Sequence, residues 1–403
     1  MNIIDYEEII KKYDVPYYIC DIFKLKQNIE KLTSEFRKHY SNYNIAYSYK
    51  TNYLPSICKT VKEMGGYAEV VSDMEYLLAK KIGYSEEKII YNGPCKGKEL
   101  ENFILKKGIV IVDNLEELNR IIELVNNKKD NMFEIGIRLN FSGELGKNSR
   151  FGFYYEGNEL KECLRRVREL NNLKIVGIHC HITGARDLVS WEKRIKLMLE
   201  IADKKIEEIK FIDLGSGMYG EMDETLKEQF GTEIPTFYEY ASVVAKVMNE
   251  HYFSKKIKPL LLTEPGTTLV ANIFSFIGKI TSIKEINHQA YAIMNCSYHN
   301  LGELSTKKQL PIKVIGEKGK NYKNLIFSGY TCLEYDIFYK NYSGNLKVGN
   351  YIVFENVGSY SNNLKPPFIW PNCKILIYDS QTQKITLGKR DETFEDLFST
   401  YIF

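Results

Sequence analysis

The 403-residue sequence has little net charge: 55 lysines and arginines against 52 aspartates and glutamates leave +3, with no segment that concentrates it. That excludes the phosphate-tracking face of a nucleic-acid-binding protein. Long hydrophobic runs are missing as well. No apolar stretch approaches the ~20 residues of a membrane span. The opening MNIIDYEEIIKKYDVPYYIC lacks the basic start, unbroken apolar core and small-residue cleavage site of a secretory signal, so a cytoplasmic chain without a membrane partner is expected. The eight cysteines never form a CxxC pair. In a large chain from a reducing compartment this reads as buried thiols, at most one or two of them chemical, and no metal is expected. No Gly/Ser/Pro linker or low-complexity tract marks a domain boundary.

What is present is an alternation. Short apolar β-type runs recur between residues 44 and 265: NIAYSYK, GYAEVV, KIIYN, IVIVDN, FEIGIRL, KIVGIHCH, KFIDLG and LLLTEP. Between them lie stretches such as NLEELNRIIELVNNKK and SWEKRIKLMLEIADKK, with leucine and isoleucine at helical spacing. Eight parallel strands with crossover helices predict an α/β fold, a closed (β/α)8 TIM barrel over residues 22–268, with an open doubly wound sheet as the alternative. After Pro265 the pattern becomes consecutive β-rich runs, which predicts an all-β domain over 269–403. Residues 1–21, with PYYIC near their end, contain a candidate strand for that second domain. A chain of this length exceeds the size at which one core stops growing, in keeping with two domains.

In such a barrel the active site is built at the C-terminal ends of the strands. The runs end in or near Lys50, Glu69, Asn92, Asp113, Arg138, His181, Gly215 and Glu264. Asn92 and Asp113 are equally well read as turn residues or helix caps. The Lys, Glu, Arg, His, Glu set is harder to read that way, because these types are seldom buried without partners. One cofactor accounts for it. Pyridoxal phosphate needs a lysine amine for its aldehyde, a carboxylate facing its ring nitrogen and a cup for its phosphate. Lys50 supplies the first, Glu264 the second, and DLGSGMYG (213–220), with glycines at 215 and 217, the third. Each signal alone is weak: a strand-end lysine can snorkel, a GxG can be only a tight turn, and EPG is a common loop.

Taken in order, YSYKTN, AEVVSDME, IIYNGPCK, RFGF, GIHCHITG, DLGSG, TEPG, GYTCLEYD and VGSY resemble the fold-type III pyridoxal-phosphate-dependent decarboxylases, the ornithine, arginine and diaminopimelate decarboxylase group. The resemblance covers nearly the whole chain. It implies an alanine-racemase-like barrel followed by a β-sandwich-like domain, in a homodimer whose active sites are shared between subunits. It further implies Lys50 as the internal aldimine, Glu264 as partner of the pyridinium, His181 stacked on the ring, and Glu69 and Arg138 around the ring and Lys50. Gly215, Ser216, Gly217 and Tyr360, with Gly266 and Thr267 of the EPG turn, would bind the cofactor. Cys332 would donate a proton across the dimer interface, and Asp336, which closes its motif, would lie among the substrate groups. A racemase would need a second base, commonly a tyrosine, where this chain offers the Cys332 motif. A non-catalytic relative would have no need of both Lys50 and Cys332.

Three departures bear on the substrate. Thr267 stands where the family usually has an arginine after EPG, which removes a bidentate carboxylate clamp and argues against diaminopimelate. Leu333 replaces the usual acidic residue after the cysteine, which argues against a simple basic amino acid unless Glu334 takes over. Gly184 occupies the place of a phosphate-binding serine, with Thr183 available beside it. In the second domain, 294–312 and 357–370 resemble the subgroup working in siderophore, peptide-antibiotic and related pathways, whose substrates are amino acid units joined to a small acid or a carrier protein. On that reading His299 and Asn300 line the substrate mouth and Leu333 faces an uncharged linkage. The alternative is a decarboxylase of free ornithine, lysine or diaminopimelate.

Overall fold

All eight apolar runs form short parallel strands: β1 (Tyr43–Ser48), β2 (Tyr67–Val70), β3 (Ile89–Tyr91), β4 (Ile109–Val112), β5 (Phe133–Asn140), β6 (Leu173–His179), β7 (Phe211–Asp213) and β8 (Leu260–Thr263). Each pairs with the next, and β8 returns to β1 with Leu262 opposite Asn44, so the sheet closes on itself. This computed structural model describes residues 4–145 and 148–403. A closed (β/α)8 barrel is therefore the architecture of the first unit, as expected from the alternation.

Several strands end before the residues that carry the chemistry. Lys50, His181 and Gly215 lie two residues beyond β1, β6 and β7, and Asn92, Asp113 and Glu264 lie one beyond β3, β4 and β8, whereas Glu69 and Arg138 lie within β2 and β5. The strand ladder fixes the backbone up to the mouth, and the reactive groups start where it lets go. Helices with side-chain N-caps follow: Ser72 caps Asp73–Ile82 and Asn114 caps Leu115–Asn126. In both, an acid on the first turn reaches back to the end of the preceding strand. Glu75 accepts the N–H of Val71 at 2.8 Å, and Glu117 that of Asp113 at 2.8 Å. The same device thus sets the exit of the chain from β2 and from β4.

Inside the barrel, Ala46, Tyr67, Ile90, Ile111, Val176, Phe211 and Leu262 form one core. The mid-strand glycines of FEIGIRL and KIVGIHCH belong to it. Gly136, Gly177 and Phe211 sit side by side on β5, β6 and β7, and a Cβ on Gly177 would lie 1.9 Å from the Phe211 ring. Glycine is needed there because the phenyl ring takes the space of two side chains.

The second unit consists of residues up to Gln27, Gly220–Thr232 and Leu269–Phe403. Its mixed sheet is built on the long strand Phe274–Ile286, antiparallel to Gln289–Met294, Tyr351–Glu355 and Tyr17–Asp21. The PYYIC segment thus lies in this sheet, with its other edge parallel to Ile375–Asp379. Beyond the expected limits of 22–268 for the barrel and 269–403, with the candidate strand of 1–21, for the β domain, residues 22–27 and Gly220–Thr232 also group with the β unit.

Gly177→Ala should destabilise the protein by about 1–3 kcal/mol, because the added methyl meets a ring that a closed barrel cannot move aside. Chemical denaturation checks this, and an unchanged midpoint would show that the ring is free to shift.

Candidate active site

After Ser48 the chain leaves β1 in a single 3-10 turn, Tyr49–Thr51, which places Lys50 at the mouth. The turn is held from both sides. Tyr47 donates its hydroxyl to the Asn52 carbonyl at 2.7 Å, and the Asn52 side chain accepts the N–H of Leu54 at 3.2 Å. Thr51 fills the space over Gly266, where a Cβ would come within 2.0 Å of its hydroxyl. The KTN and EPG turns are thereby fitted together at the seam where β8 closes on β1. Lys50 Nζ lies 2.6 Å from Glu69 Oε2, which also accepts from the Ser48 hydroxyl at 2.5 Å. The Glu69 side chain is completely buried, whereas that of Lys50 is 35% exposed. Burial pushes the Glu69 carboxyl up, the Lys50 charge pulls against it, and the nearby Glu264 adds to the rise.

Glu264 lies beyond β8 and is also buried. Its Oε1 accepts from the Asn92 amide at 3.0 Å and its Oε2 lies 3.2 Å from His179 Nε2. Burial alone would raise its pKa, but the His179 imidazole and the Lys50 charge hold it below the usual carboxylate range. Asp213 is the third member. Its Oδ1 accepts the Gly215 N–H at 2.8 Å, and burial together with the Glu264 charge keeps its carboxyl well above the usual range. Ligand atoms of His179, Asp213 and Glu264 lie within 4.8 Å of one another. Sequence reasoning had left Asn92 open between turn and site, and had not singled out His179 or Asp213. The HCH alternation was the available signal, since residues two apart in an extended chain share a face.

The glycine turn after β7 is unusually constrained. Gly215 has φ +58 and Gly217 φ +115, and a Cβ on Gly215 would meet the Cys180 carbonyl at 2.8 Å. The Ser216 N–H goes to His181 Nδ1 at 3.2 Å, so two of the three N–H groups expected to face phosphate have partners within the chain. Burial lowers the His181 pKa well below its ordinary value, with the Lys50 charge acting in the same direction, so the imidazole is neutral and Nδ1 is its acceptor. Beneath the turn lies Arg194, fully buried, donating to the carbonyls of Leu214 (2.9 Å), Ser216 (3.2 Å) and Ala185 (3.2 Å). Among the described residues no carboxylate lies within ion-pair distance of it. A buried cation under a turn that only glycine can make fits an anion above it. Thr183 and Gly184 are exposed beside this turn, with Gly184 at φ +93.

A second layer links β3, β4 and β5. Lys96, its side chain wholly buried, bonds the carbonyls of Gly93 and Ile111 and pairs with Glu117 at 2.6 Å. Glu117 holds the Asp113 N–H, and Asp113 lies 3.7 Å from Arg138, whose guanidinium sits 4.7 Å from the centre of the Phe151 ring.

In the other unit, Cys332 is exposed on a loop that Asp336 organises. The Asp336 carboxylate, 2% exposed, accepts from the Tyr298 N–H (2.9 Å), the Thr331 N–H (3.3 Å) and the Thr331 hydroxyl (2.7 Å). Asp336 was expected among the substrate groups; in the structure its carboxylate accepts two hydrogen bonds from its own loop and one from the Tyr298 N–H. Gly329 permits this, since a Cβ there would lie 2.0 Å from Asp336 Oδ2. Leu333 is half-buried and Glu334 exposed. His299 packs on Tyr298 with ring centres 4.0 Å apart, and Tyr360 has the left-handed φ of +51. Burial lowers the pKa of His299.

A strand-end lysine paired with a carboxylate, a second anionic carboxylate, a neutral histidine and a cation-backed glycine turn in a closed barrel define a pyridoxal-phosphate enzyme. Residues 26–271 match the model of the pyridoxal-dependent decarboxylases, pyridoxal binding domain, and the chain belongs to that family. It is a carboxy-lyase acting on an amino acid, with pyridoxal phosphate as cofactor. A diaminopimelate decarboxylase of Methanocaldococcus jannaschii is 24% identical over 413 residues, taking in 97% of this chain and 92% of that protein. Antizyme inhibitor 2 of Xenopus laevis is 24% identical over 78% of this chain and 71% of its own length. In fold, the crystal structure of the M. jannaschii diaminopimelate decarboxylase matches with a TM-score of 0.85 at 23% identity, covering 99% of this chain and 94% of that one. The lysine/ornithine decarboxylase of Vibrio vulnificus, solved with putrescine, matches at 0.75 and 17% identity, covering 93% and 97%. Among the described residues no helix is long and apolar enough to cross a membrane.

The buried Glu75, next to this site, yields a pH test. Burial, then the Glu69 charge, raises its pKa to about 7. A carboxyl whose pKa rises on folding favours the folded state most below its unfolded pKa, and that contribution is lost as pH rises through 7. Glu75→Gln should therefore gain stability over the cofactor-free wild type by up to about 3 kcal/mol between pH 4.5 and 8. Denaturant unfolding across that range measures it; parallel curves would mean that Glu75 titrates normally.

Proposed function

We propose that the enzyme removes the α-carboxylate of a free amino acid carrying a second amino group, the class of diaminopimelate, lysine and ornithine. The observation that carries the reaction is the 2.6 Å contact of Lys50 with buried Glu69 at the mouth that also holds Glu264. The substrate class is supported by the diaminopimelate decarboxylases among its relatives. Pyridoxal phosphate, when bound, supplies the aldehyde and the electron-withdrawing ring that let the bond between the α-carbon and the carboxylate break. The chain supplies the rest. Glu69 and Ser48 hold the Lys50 amine in one place, Glu264 presents an anion, and neutral His181 offers a flat surface that does not compete for that anion. Arg194 fixes the carbonyls of the glycine turn and places a positive charge under it.

When CO2 leaves, the bonding electrons stay behind and the α-carbon needs a proton. Cys332, exposed on a loop held by Asp336, is the proposed donor, serving the barrel of a second copy in a homodimer. Cys332→Ala should keep the cofactor and slow turnover by roughly a hundredfold. Turnover at the wild-type rate would mean that another acid protonates the carbon.

A second reading is favoured by two residues. Thr267 and Leu333 withdraw the carboxylate clamp and the acidic partner that free diaminopimelate or a basic amino acid would use, which suits an amino acid unit joined to a small acid or a carrier protein. The relatives give no support to the siderophore and antibiotic subgroup, so this reading rests on those two positions. Mass spectrometry of the cofactor-loaded enzyme with lysine, ornithine, arginine and diaminopimelate in each configuration decides between them, with Lys50→Ala as the blank. Loss of CO2 from a free amino acid carrying a second amino group is the expected result. If none is consumed by protein that retains its cofactor, the free-substrate reading fails and conjugated amino acids become the substrates to test.

A further inference from the structure

We infer that His179 is the positioning residue of the cofactor-facing carboxylate: with Asn92 it holds Glu264 in one orientation as the acceptor of the cluster, so that Glu264 selects a ring bearing a protonated nitrogen. The inference rests on pyridoxal phosphate facing Glu264 and is independent of which amino acid is decarboxylated.

The hydrogen bonds assign the donors. Asn92 Oδ1 accepts the Gly93 N–H at 3.0 Å, which turns its amide nitrogen toward Glu264 Oε1, also at 3.0 Å. That nitrogen lies 3.0 Å from His179 Nε2 as well. The amide nitrogen has a hydrogen for each neighbour and so does not settle the tautomer, but Nε2 also faces Glu264 Oε2 at 3.2 Å, and an ionised carboxylate oxygen only accepts, which assigns the proton to Nε2. The Glu264 carboxylate is then gripped on one oxygen by an amide and on the other by an imidazole. His179 Nδ1 has no hydrogen-bond partner among the described residues, and neither has Asp213 Oδ2.

All four residues are at most 3% exposed. Two carboxylates so close in a dry site do not both ionise, and the surroundings divide the roles. Glu264 has the donors and carries the charge. Asp213, with Oδ1 on the Gly215 N–H, carries the proton, which also ties the carboxylate cluster to the glycine turn. A buried histidine and two carboxylates have the composition of a divalent-metal site. Here, however, both Glu264 oxygens already face N–H donors, which a cation would have to displace.

The test is the ratio of two dissociation constants, for pyridoxal phosphate and for its analogue with C–H in place of the ring nitrogen. Wild type should prefer the cofactor and Glu264→Gln should lose that preference. His179→Leu should reduce the preference by about tenfold, the order expected for a hydrogen bond to a charged group. His179→Gln should restore much of it, because its amide N–H can replace Nε2–H. A purely structural role would weaken both ligands alike and leave the ratio unchanged. Should His179→Leu not fold, Asn92→Ala reads the same ratio. The proposal is overturned if the ratio in these variants equals that of wild type, or if purified wild type holds a stoichiometric metal whose removal changes the ratio. Because binding alone is read, failure to find a decarboxylated amino acid would count against the proposed substrate and not against this assignment.

Discussion

Two carboxylates, Glu69 and Glu264, are buried at the mouth of the barrel, and much of the surrounding structure makes that burial tolerable. An unpaired carboxylate in such a place costs several kcal/mol. Glu69 is met by Lys50 and Ser48, and Glu264 by Asn92 and His179. The two carboxylates and the groups that satisfy them sit on or just beyond β1, β2, β3, β6 and β8, and Asp213 adds β7, so the site exists only in a sheet that has closed. The pairing of β8 with β1 and the fit of Thr51 over Gly266 bring the two carboxylates to a common mouth.

Behind this layer lies a second one with a different task. Lys96, Glu117 and Asp113 connect the turns after β3 and β4 to Arg138, and Arg194 holds the glycine turn from below. Both cations are fully buried. Lys96 has a carboxylate partner, whereas among the described residues Arg194 hydrogen-bonds only carbonyls and otherwise lies against the Trp191 ring, 4.5 Å from its centre, so the glycine turn is a place where an anion would complete the electrostatics.

The barrel was legible because its strands are continuous apolar runs separated by helical periodicity, and because lysine, glutamate and histidine are unusual residues with which to end a buried strand. What could not be read were relations across the closed sheet. His179 and Asp213 sit in motifs that drew notice for their neighbours, but their convergence with Asn92 on Glu264 joins residues far apart in the sequence. Arg194 reads as one more cation in an amphipathic helix, and only its burial distinguishes it. The strand Ile337–Leu346 escaped notice because apolar residues are few in it and Lys340, Asn341 and Asn345 face solvent. The bonds of Asp336 to Tyr298 and Thr331 were not legible either, since a motif shows that an acid is present without showing which groups meet it.

The central claim is that Lys50 is the residue to which the cofactor attaches, and its neighbours are arranged for that purpose. Lys96, completely buried and paired with Glu117, is the control within the same barrel. The most direct measurement is borohydride reduction of the cofactor-loaded protein followed by peptide mass mapping. The account predicts a single pyridoxyl modification, on the peptide that contains Lys50. Modification at Lys96 or another lysine, with Lys50 left unmodified, would contradict it.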